Sequence, residues 1–372
     1  MKTVMIVAGE SSGELYGSLL ARELKRRWPD IRVIGIGGER MEKEGVELIY
    51  GISHSFGFIE VFSTIRKIRE ALKRAKTALI DIRPAICVLI DYPDFNFRLG
   101  YYARKRGIKV LYYVSPQVWA WRRGRLKKMK EIADRIAVVL PFEEEIYRRE
   151  GIEAEFVGHP VMEEILERGN GIRKKREDMQ PVIALLPGSR PGELKRHLPI
   201  FEHLVELIRS RFGNSNILLP LAPNIDATAF HEELRSLQNK GVSIVNDSIG
   251  ALSTADMAVI ASGTATLQAA FLGVPMVVIY RLSPLTYIIG RIILNVRYIS
   301  LVNILAGRCI VPELIQGEAR PERIAEELDR LYGDEDYRNG MIAGLNSLRA
   351  SFLGHRPSLR VADMIGEMAG WL

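Results

Sequence analysis

Asp91 follows an unbroken apolar run, AICVLI at residues 85–90, and is itself followed by Tyr92-Pro93, which forces a turn. A carboxylate delivered at the end of a buried strand is placed to take the proton of a hydroxyl as that hydroxyl attacks. Asp94 and Asn96 lie just beyond, and Asp94 reads as a helix N-cap. Two other junctions have the make-up of anion sites. LLPGSR, residues 185–190, ends a buried run in Pro187, thins the backbone at Gly188-Ser189 and supplies Arg190 before Pro191-Gly192-Glu193 opens a helix. Amides at a helix start bind phosphate, and an arginine fork adds a bidentate contact. ASGTATLQ, residues 261–268, repeats the device with the small residues Ser262-Gly263-Thr264. An ordinary strand-to-helix turn with a surface arginine satisfies the same spacing.

Other polar positions are open to two readings. YYVSPQVWAWRRGR, residues 112–125, puts Trp119 and Trp121 in a loop after a β-branched run. Indoles there either plug the base of a neighbouring helix or meet a ligand. AGESSGELYG, residues 8–17, is a strand and a glycine-punctuated helix start without G-x-G-x-x-G spacing, so a dinucleotide site is a weak reading. Glu14 suits a helix dipole. Asn303, in VNILAGR, is either a buried loop-fixing amide or a ligand contact. His159, in FVGHP, reads more readily as structural than as an acid. Asp334-Glu335-Asp336 spells the D-x-D of metal-dependent sugar transferases, but it sits in a polar turn away from any strand end, so no metal site is expected.

The elements behind these residues alternate. Strand runs are expected at 4–8, 32–35, 85–90, 109–114 and 135–139, then at 182–186, 217–220, 242–245, 257–260 and 276–280, each separated by helix-length segments. That is the pattern of parallel βαβ units. A glycine-rich, charged stretch at 169–180 reads as a linker between an N-terminal domain (1–168) and a C-terminal one (181–350). A helical tail, 351–372, is expected to pack back on the first domain. In such sheets ligands gather at the carboxyl ends of the strands.

The chain has 372 residues, 47% hydrophobic and 26% charged, the composition of a globular protein. Cys87 and Cys309 have no C-x-x-C spacing, so a reducing cytoplasm is the expected home. The N-terminus opens on a strand and reads as lacking a secretory leader. A net charge of +7 asks for an anionic partner. No nucleic-acid motif is present, which leaves phosphorylated substrates and an anionic membrane surface. Residues 282–296, LSPLTYIIGRIILNV, are too short to span a bilayer. With Arg281 and Arg297 at the ends they read as an interfacial helix, with Ile288, Ile289 and Ile292 in acyl contact, and otherwise as a core helix. The basic stretch 66–76 supports the same surface.

Nine segments in order, from AGESSGE through IDYPDFN, SPQVWAWR, LPFE, FVGHP, LLPGSR, ASGTATLQ and PMVVIYR to VNILAGR with VPELIQ, resemble the lipid A disaccharide synthase family over residues 8–316. The resemblance implies an α/β fold of two doubly wound Rossmann-like domains facing a cleft, the glycosyltransferase-B architecture. It implies inverting transfer of 2,3-diacylglucosamine from UDP to 2,3-diacylglucosamine 1-phosphate (lipid X), releasing UDP, with no cofactor. It carries the base role onto Asp91 and makes Glu10 and Ser12 contacts to the acceptor or reacting sugar. Ser189, Arg190, Ser262, Gly263, Thr264, Gln268 and Asn303 become the UDP-sugar side, with Gln268 standing where the family more usually has Glu. The implied location is the cytoplasm, peripheral on the inner face of the membrane, with a homodimer as one open arrangement. Two alternatives stay open. One is another glycosyltransferase-B enzyme, such as a UDP-sugar epimerase; the other is a non-catalytic nucleotide-binding module at a membrane.

Overall fold

The computed structural model describes residues 2–51, 61–119, 124–169, 180–283, 287 and 297–372. Short runs of β-branched and aliphatic residues, apolar on both faces, make strands that can only be covered by helices above and below. In the N-terminal half these are β1 (Thr3–Ala8), β2 (Arg32–Gly37), β3 (Glu47–Gly51), β4 (Ile86–Ile90), β5 (Lys109–Tyr113), β6 (Arg135–Val138) and β7 (Ala154–Phe156). They form one parallel sheet in the order β3-β2-β1-β4-β5-β6-β7. The chain reverses its winding between β1 and β4, which is the switch point where loops splay apart. Its core includes Met5, Val7, Cys87, Leu89, Val110 and Tyr112, none of them accessible to solvent.

The second half repeats the plan with β8 (Val182–Leu186), β9 (Asn216–Pro220), β10 (Val242–Val245), β11 (Met257–Ala261), β12 (Met276–Tyr280) and β13 (Glu313–Ile315). Its order is β10-β9-β8-β11-β12-β13, again parallel, so this sheet switches between β8 and β11. The fold is therefore the two-domain α/β architecture expected from the alternation.

The compact units are Met1–Pro160 with Gly354–Leu372, and Val161–Leu353. The helix Pro160–Glu167 thus packs almost wholly with the second unit, ahead of the glycine-rich stretch; residues 170–179 of that stretch lie outside the described residues. The terminal helix Pro357–Ala369 belongs to the first unit. It is fastened by Arg360 on Glu155 at 2.5 and 2.7 Å, by Arg27 on Asp363, and by the Lys109 ammonium donating to the Met368 carbonyl. Trp371 meets Trp28 edge-on at 5.4 Å, with Lys2 over both rings.

Candidate functional site

Two clusters of polar residues lie at the two switch points, each on its own sheet. On the first unit, β1 ends in Gly9-Glu10 before the helix Ser11–Arg27, and β4 ends in Asp91-Tyr92 before the helix Pro93–Arg104. Asp91 and Tyr92 both have left-handed backbones, at φ 45° and 44°, and Val114 at the end of β5 has φ 60°. For residues with a Cβ this conformation costs roughly 1–3 kcal/mol each and persists only where the surroundings impose it. The imposing group is Asn96. It is fully buried, and its amide donates to the carbonyls of Ile90 at 3.1 Å and Asp91 at 2.7 Å. The Tyr112 hydroxyl donates to the same Asp91 carbonyl at 2.7 Å, and the Asp91 amide donates to Tyr113. A buried scaffold thus grips the backbone of Asp91, while Asp91 itself is only partly buried.

Glu10 is exposed at the head of the adjoining helix, and Ser12 lies partly buried in its first turn. Burial chiefly, and then the negative charges of Glu10 and Asp94, push the Tyr92 phenol above its ordinary range. Glu10 therefore acts on the same strand-end cluster as Asp91. Asp94 does not cap its helix. It accepts from Arg125 at 3.0 Å, because the left-handed Tyr92 takes the capping position. Glu14 is buried and accepts from the Arg40 amide at 2.8 Å, so it serves the neighbouring short helix.

Trp119 donates its indole N–H to Glu143 at 3.0 Å and meets Phe142 edge-on at 5.1 Å, so it packs on the start of the helix Pro141–Arg149. Trp121 lies outside the described residues. Glu143 is 1% exposed, and burial pushes its carboxyl up to about 8 even though the indole pulls the other way. His159 is buried edge-on to Tyr16, and burial lowers its imidazole to about 3. Burial thus favours its neutral form.

On the second unit, Gly188 stands at φ 114°, and a Cβ there would lie 2.3 Å from Glu193 Oε2. That oxygen accepts from the amides of Ser189 at 2.9 Å and Arg190 at 3.2 Å. The amides that the spacing offered to a phosphate are thus engaged by the chain's own carboxylate, a capping box that stiffens the turn. Asn224 braces it from the loop after β9 by donating to the Ser189 carbonyl at 2.7 Å. The Arg190 side chain stays 61% exposed, with its guanidinium 3.8 Å from Glu193 Oε1.

After β11, Ser262 donates its hydroxyl to the Ile299 carbonyl at 2.9 Å, and among the described residues, its two chain neighbours aside, none stands within 4 Å of a Cβ placed on Gly263. Thr264 opens the helix Thr264–Leu272, and Gln268 accepts from Ser248 at 3.1 Å. Asn303 is fully buried. Its amide donates to Val311 and Glu313, and its oxygen accepts from Ile310 and Val311, so its whole capacity shapes the loop before β13. The D-x-D is a helix start: Asp334 accepts from the Tyr337 amide at 2.9 Å. Ile288, Ile289 and Ile292 lie outside the described residues.

Sequence reasoning missed several residues around this turn. Arg196 donates to the Arg281 carbonyl at 3.0 Å, and Arg281 donates to the Gln316 carbonyl at 3.2 Å. Tyr280 feels Glu193, Arg190 and Arg196. Arg196 and Arg281 thus tie the end of β12 to the helix Pro191–Phe212 and to Gln316, close to the turn that carries Arg190. The family model for lipid-A-disaccharide synthetase matches residues 4–344. This chain belongs to the lipid-A-disaccharide synthase family. It is 43% identical to the synthase of Syntrophus aciditrophicus, over 94% of this chain and 93% of that one. It is 38% identical to that of Myxococcus xanthus, over 98% and 97%. In fold it is similar to the kitacinnamycin glycosyltransferase, with a TM-score of 0.64, 17% identity and coverage of 99% and 98%. It is also similar to a UDP-N-acetylglucosamine 2-epimerase, with a TM-score of 0.64, 13% identity and coverage of 100% and 97%. The chain is a glycosyltransferase of the lipid-A-disaccharide synthase family.

Proposed function

We propose that the protein joins UDP-2,3-diacylglucosamine to 2,3-diacylglucosamine 1-phosphate, giving the β-1′,6-linked disaccharide phosphate and UDP. The observation that carries the residue assignment is the strained, clamped backbone of Asp91 at the first switch point. In one displacement the acceptor 6-oxygen forms a bond to the donor anomeric carbon, and the bond from that carbon to the UDP phosphate oxygen breaks. The hydroxyl proton goes to Asp91, and the electron pair leaves on UDP. An α donor link and a single displacement give a β product. Glu10 and Ser12, one strand away from Asp91, contact the acceptor or the reacting sugar.

The leaving diphosphate gains charge as the bond breaks, and Arg190 meets it from a turn already stiffened by Glu193. Ser189, Ser262, Gly263, Thr264 and Gln268 line the nucleotide-sugar side; Gln268 offers an amide where the family more usually has a carboxylate. Asn303 supports that side through the loop it ties.

The acylated substrates call for an anionic membrane surface, here the inner face of the cytoplasmic membrane. Arg66, Lys67, Arg69 and Lys73 are exposed on the helix Val61–Asp81, which packs against the helix Pro93–Arg104. Lys127 and Lys128 are exposed on the next helix, Arg125–Ile132. Such a basic face gains about 1 kcal/mol per cation near anionic headgroups. No described helix is long and apolar enough to cross a membrane. The contact of Ile288, Ile289 and Ile292 with acyl chains belongs to the same proposal.

The test is to incubate the protein with both acylated sugars and follow UDP and product together. A tetraacyl disaccharide phosphate formed in step with UDP supports the reading. Interconversion of the UDP-sugar without disaccharide would make it an epimerase. UDP binding with no turnover would make it a non-catalytic module.

A further inference from the structure

His197 sits in the second turn of the helix Pro191–Phe212, fully buried, and joins two strand ends that are not neighbours in the sheet. Its Nδ1 lies 2.7 Å from the carbonyl of Pro187, which closes β8, and its Nε2 lies 3.1 Å from the amide of Arg281, which follows β12. A carbonyl only accepts and an amide only donates, so one protonation state satisfies both: the neutral ring with its proton on Nδ1. The imidazole that fits is therefore a strap of fixed polarity.

The strap is continued on both sides. Arg196, the preceding residue, donates to the Arg281 carbonyl, so both backbone groups of Arg281 are held by one helix. The Arg281 side chain donates to the Gln316 carbonyl, and the Gln316 side chain accepts from the Leu282 amide at 2.7 Å and donates to the Leu282 carbonyl at 3.3 Å. Gln316 holds a left-handed backbone at φ 55° in this clasp. The strand ends of β8, β12 and β13 are thereby tied into one frame around the turn that carries Ser189 and Arg190.

We infer that His197 is a positioning residue for donor binding: as a neutral imidazole it sets the Pro187–Arg190 turn against the Arg281 segment, and so fixes how Arg190 meets the diphosphate. Its charge state agrees with the geometry. Burial first, and then the nearby cations of Arg196 and Arg281, hold its pKa below the ordinary histidine range, against the pull of the Pro187 carbonyl. Of the rings around it, Tyr280 lies 6.3 Å away.

This inference rests on the nucleotide reading of the turn, and the experiment separates the two. UDP binding to the full chain is measured by calorimetry for wild type, His197→Phe, His197→Gln and His197→Asn, with a thermal melt for each and KM for donor and acceptor. Wild type that does not bind UDP defeats the nucleotide reading itself. If wild type binds, His197→Phe should raise the UDP Kd and donor KM by ~10-fold or more, as small misplacements of binding groups do, with the acceptor KM unmoved. His197→Gln, which returns an acceptor to the Arg281 amide, should lie between the two. A folded Phe variant with wild-type UDP affinity, whatever its melting temperature, would reduce His197 to packing. Should the Phe variant fail to fold, wild-type affinity in both the Gln and Asn variants would overturn the inference in the same way.

Discussion

The ring of Tyr92 occupies the space that a side chain on Gly9 would need: a Cβ at Gly9 would stand 2.2 Å from Tyr92 Cγ. The two residues close β1 and β4, the strands that flank the first switch point, and Tyr92 stacks onward on Phe95 at 5.5 Å. Glycine at residue 9 is thus required by close approach. It lets the Tyr92 ring settle over the end of β1, so that the left-handed Asp91-Tyr92 pair can form.

Gly9→Ala should displace that ring and with it the backbone of Asp91. Overpacking of this kind costs about 1–3 kcal/mol. The expected outcome is a lower melting temperature together with reduced turnover by the protein that remains folded. Loss of stability with full turnover per folded molecule would show that Tyr92 does not set Asp91.

Glu143 gives a pH prediction with a definite sign. Its folded pKa of about 8 lies above the ordinary carboxyl value of 4.5, so the folded protein keeps a proton that the unfolded chain releases. Its contribution is full below the unfolded value and is lost as pH rises toward the folded one. His159 works the other way, since its folded pKa of about 3 lies below the ordinary 6.5, and it takes effect only as pH falls beneath that value. Between pH 6.5 and about 8, therefore, Glu143 acts without His159. Wild-type stability should decline across that window, and Glu143→Gln, which cannot ionise, should flatten the decline. Equal slopes in urea-unfolding midpoints for the two proteins would contradict the buried, protonated state of Glu143.

Arg190→Ala should weaken UDP binding and also slow transfer, because the diphosphate gains charge in the transition state. A lost hydrogen bond to a charged group is worth about 1.5–3 kcal/mol, or ~10-fold to ~150-fold. Calorimetry of UDP binding beside steady-state rates checks both parts. An unchanged UDP dissociation constant would mean that the guanidinium does not meet the diphosphate.

How much of this the sequence made legible depended on how local each cause was. Runs such as 86–90 and 257–260 are apolar on both faces because helices cover both sides, so the central strands could be read directly. The strands β3, β7 and β13 could not. They are edge strands of three to five residues carrying Glu47, Glu155 and Glu313, and nothing in ELI or AEF separates a strand from a loop. The positions of Asp91, Arg190 and Ser262 were legible because each falls at a strand-to-helix junction. Asp94 read as a cap because the left-handed turn at Tyr92, imposed by Asn96 from within the following helix, leaves no local trace. His197 was invisible for a plainer reason: its partner Arg281 lies 84 residues away. The engagement of the Ser189 and Arg190 amides by Glu193 was legible in principle, since a glutamate three residues past a helix start is the capping-box spacing.

The base assignment to Asp91 is the centre of this account, and one variant tests it most directly. Asp91→Asn removes basicity with little change of shape, so turnover of both acylated sugars and UDP binding are measured on the same preparation. The prediction is a rate lower by ~10²–10⁴-fold, the usual effect of losing a general base, with UDP affinity close to wild type. If the variant kept more than about a tenth of the wild-type rate, the loss would be too small for a general base, and Asp91 would not be the group that takes the proton.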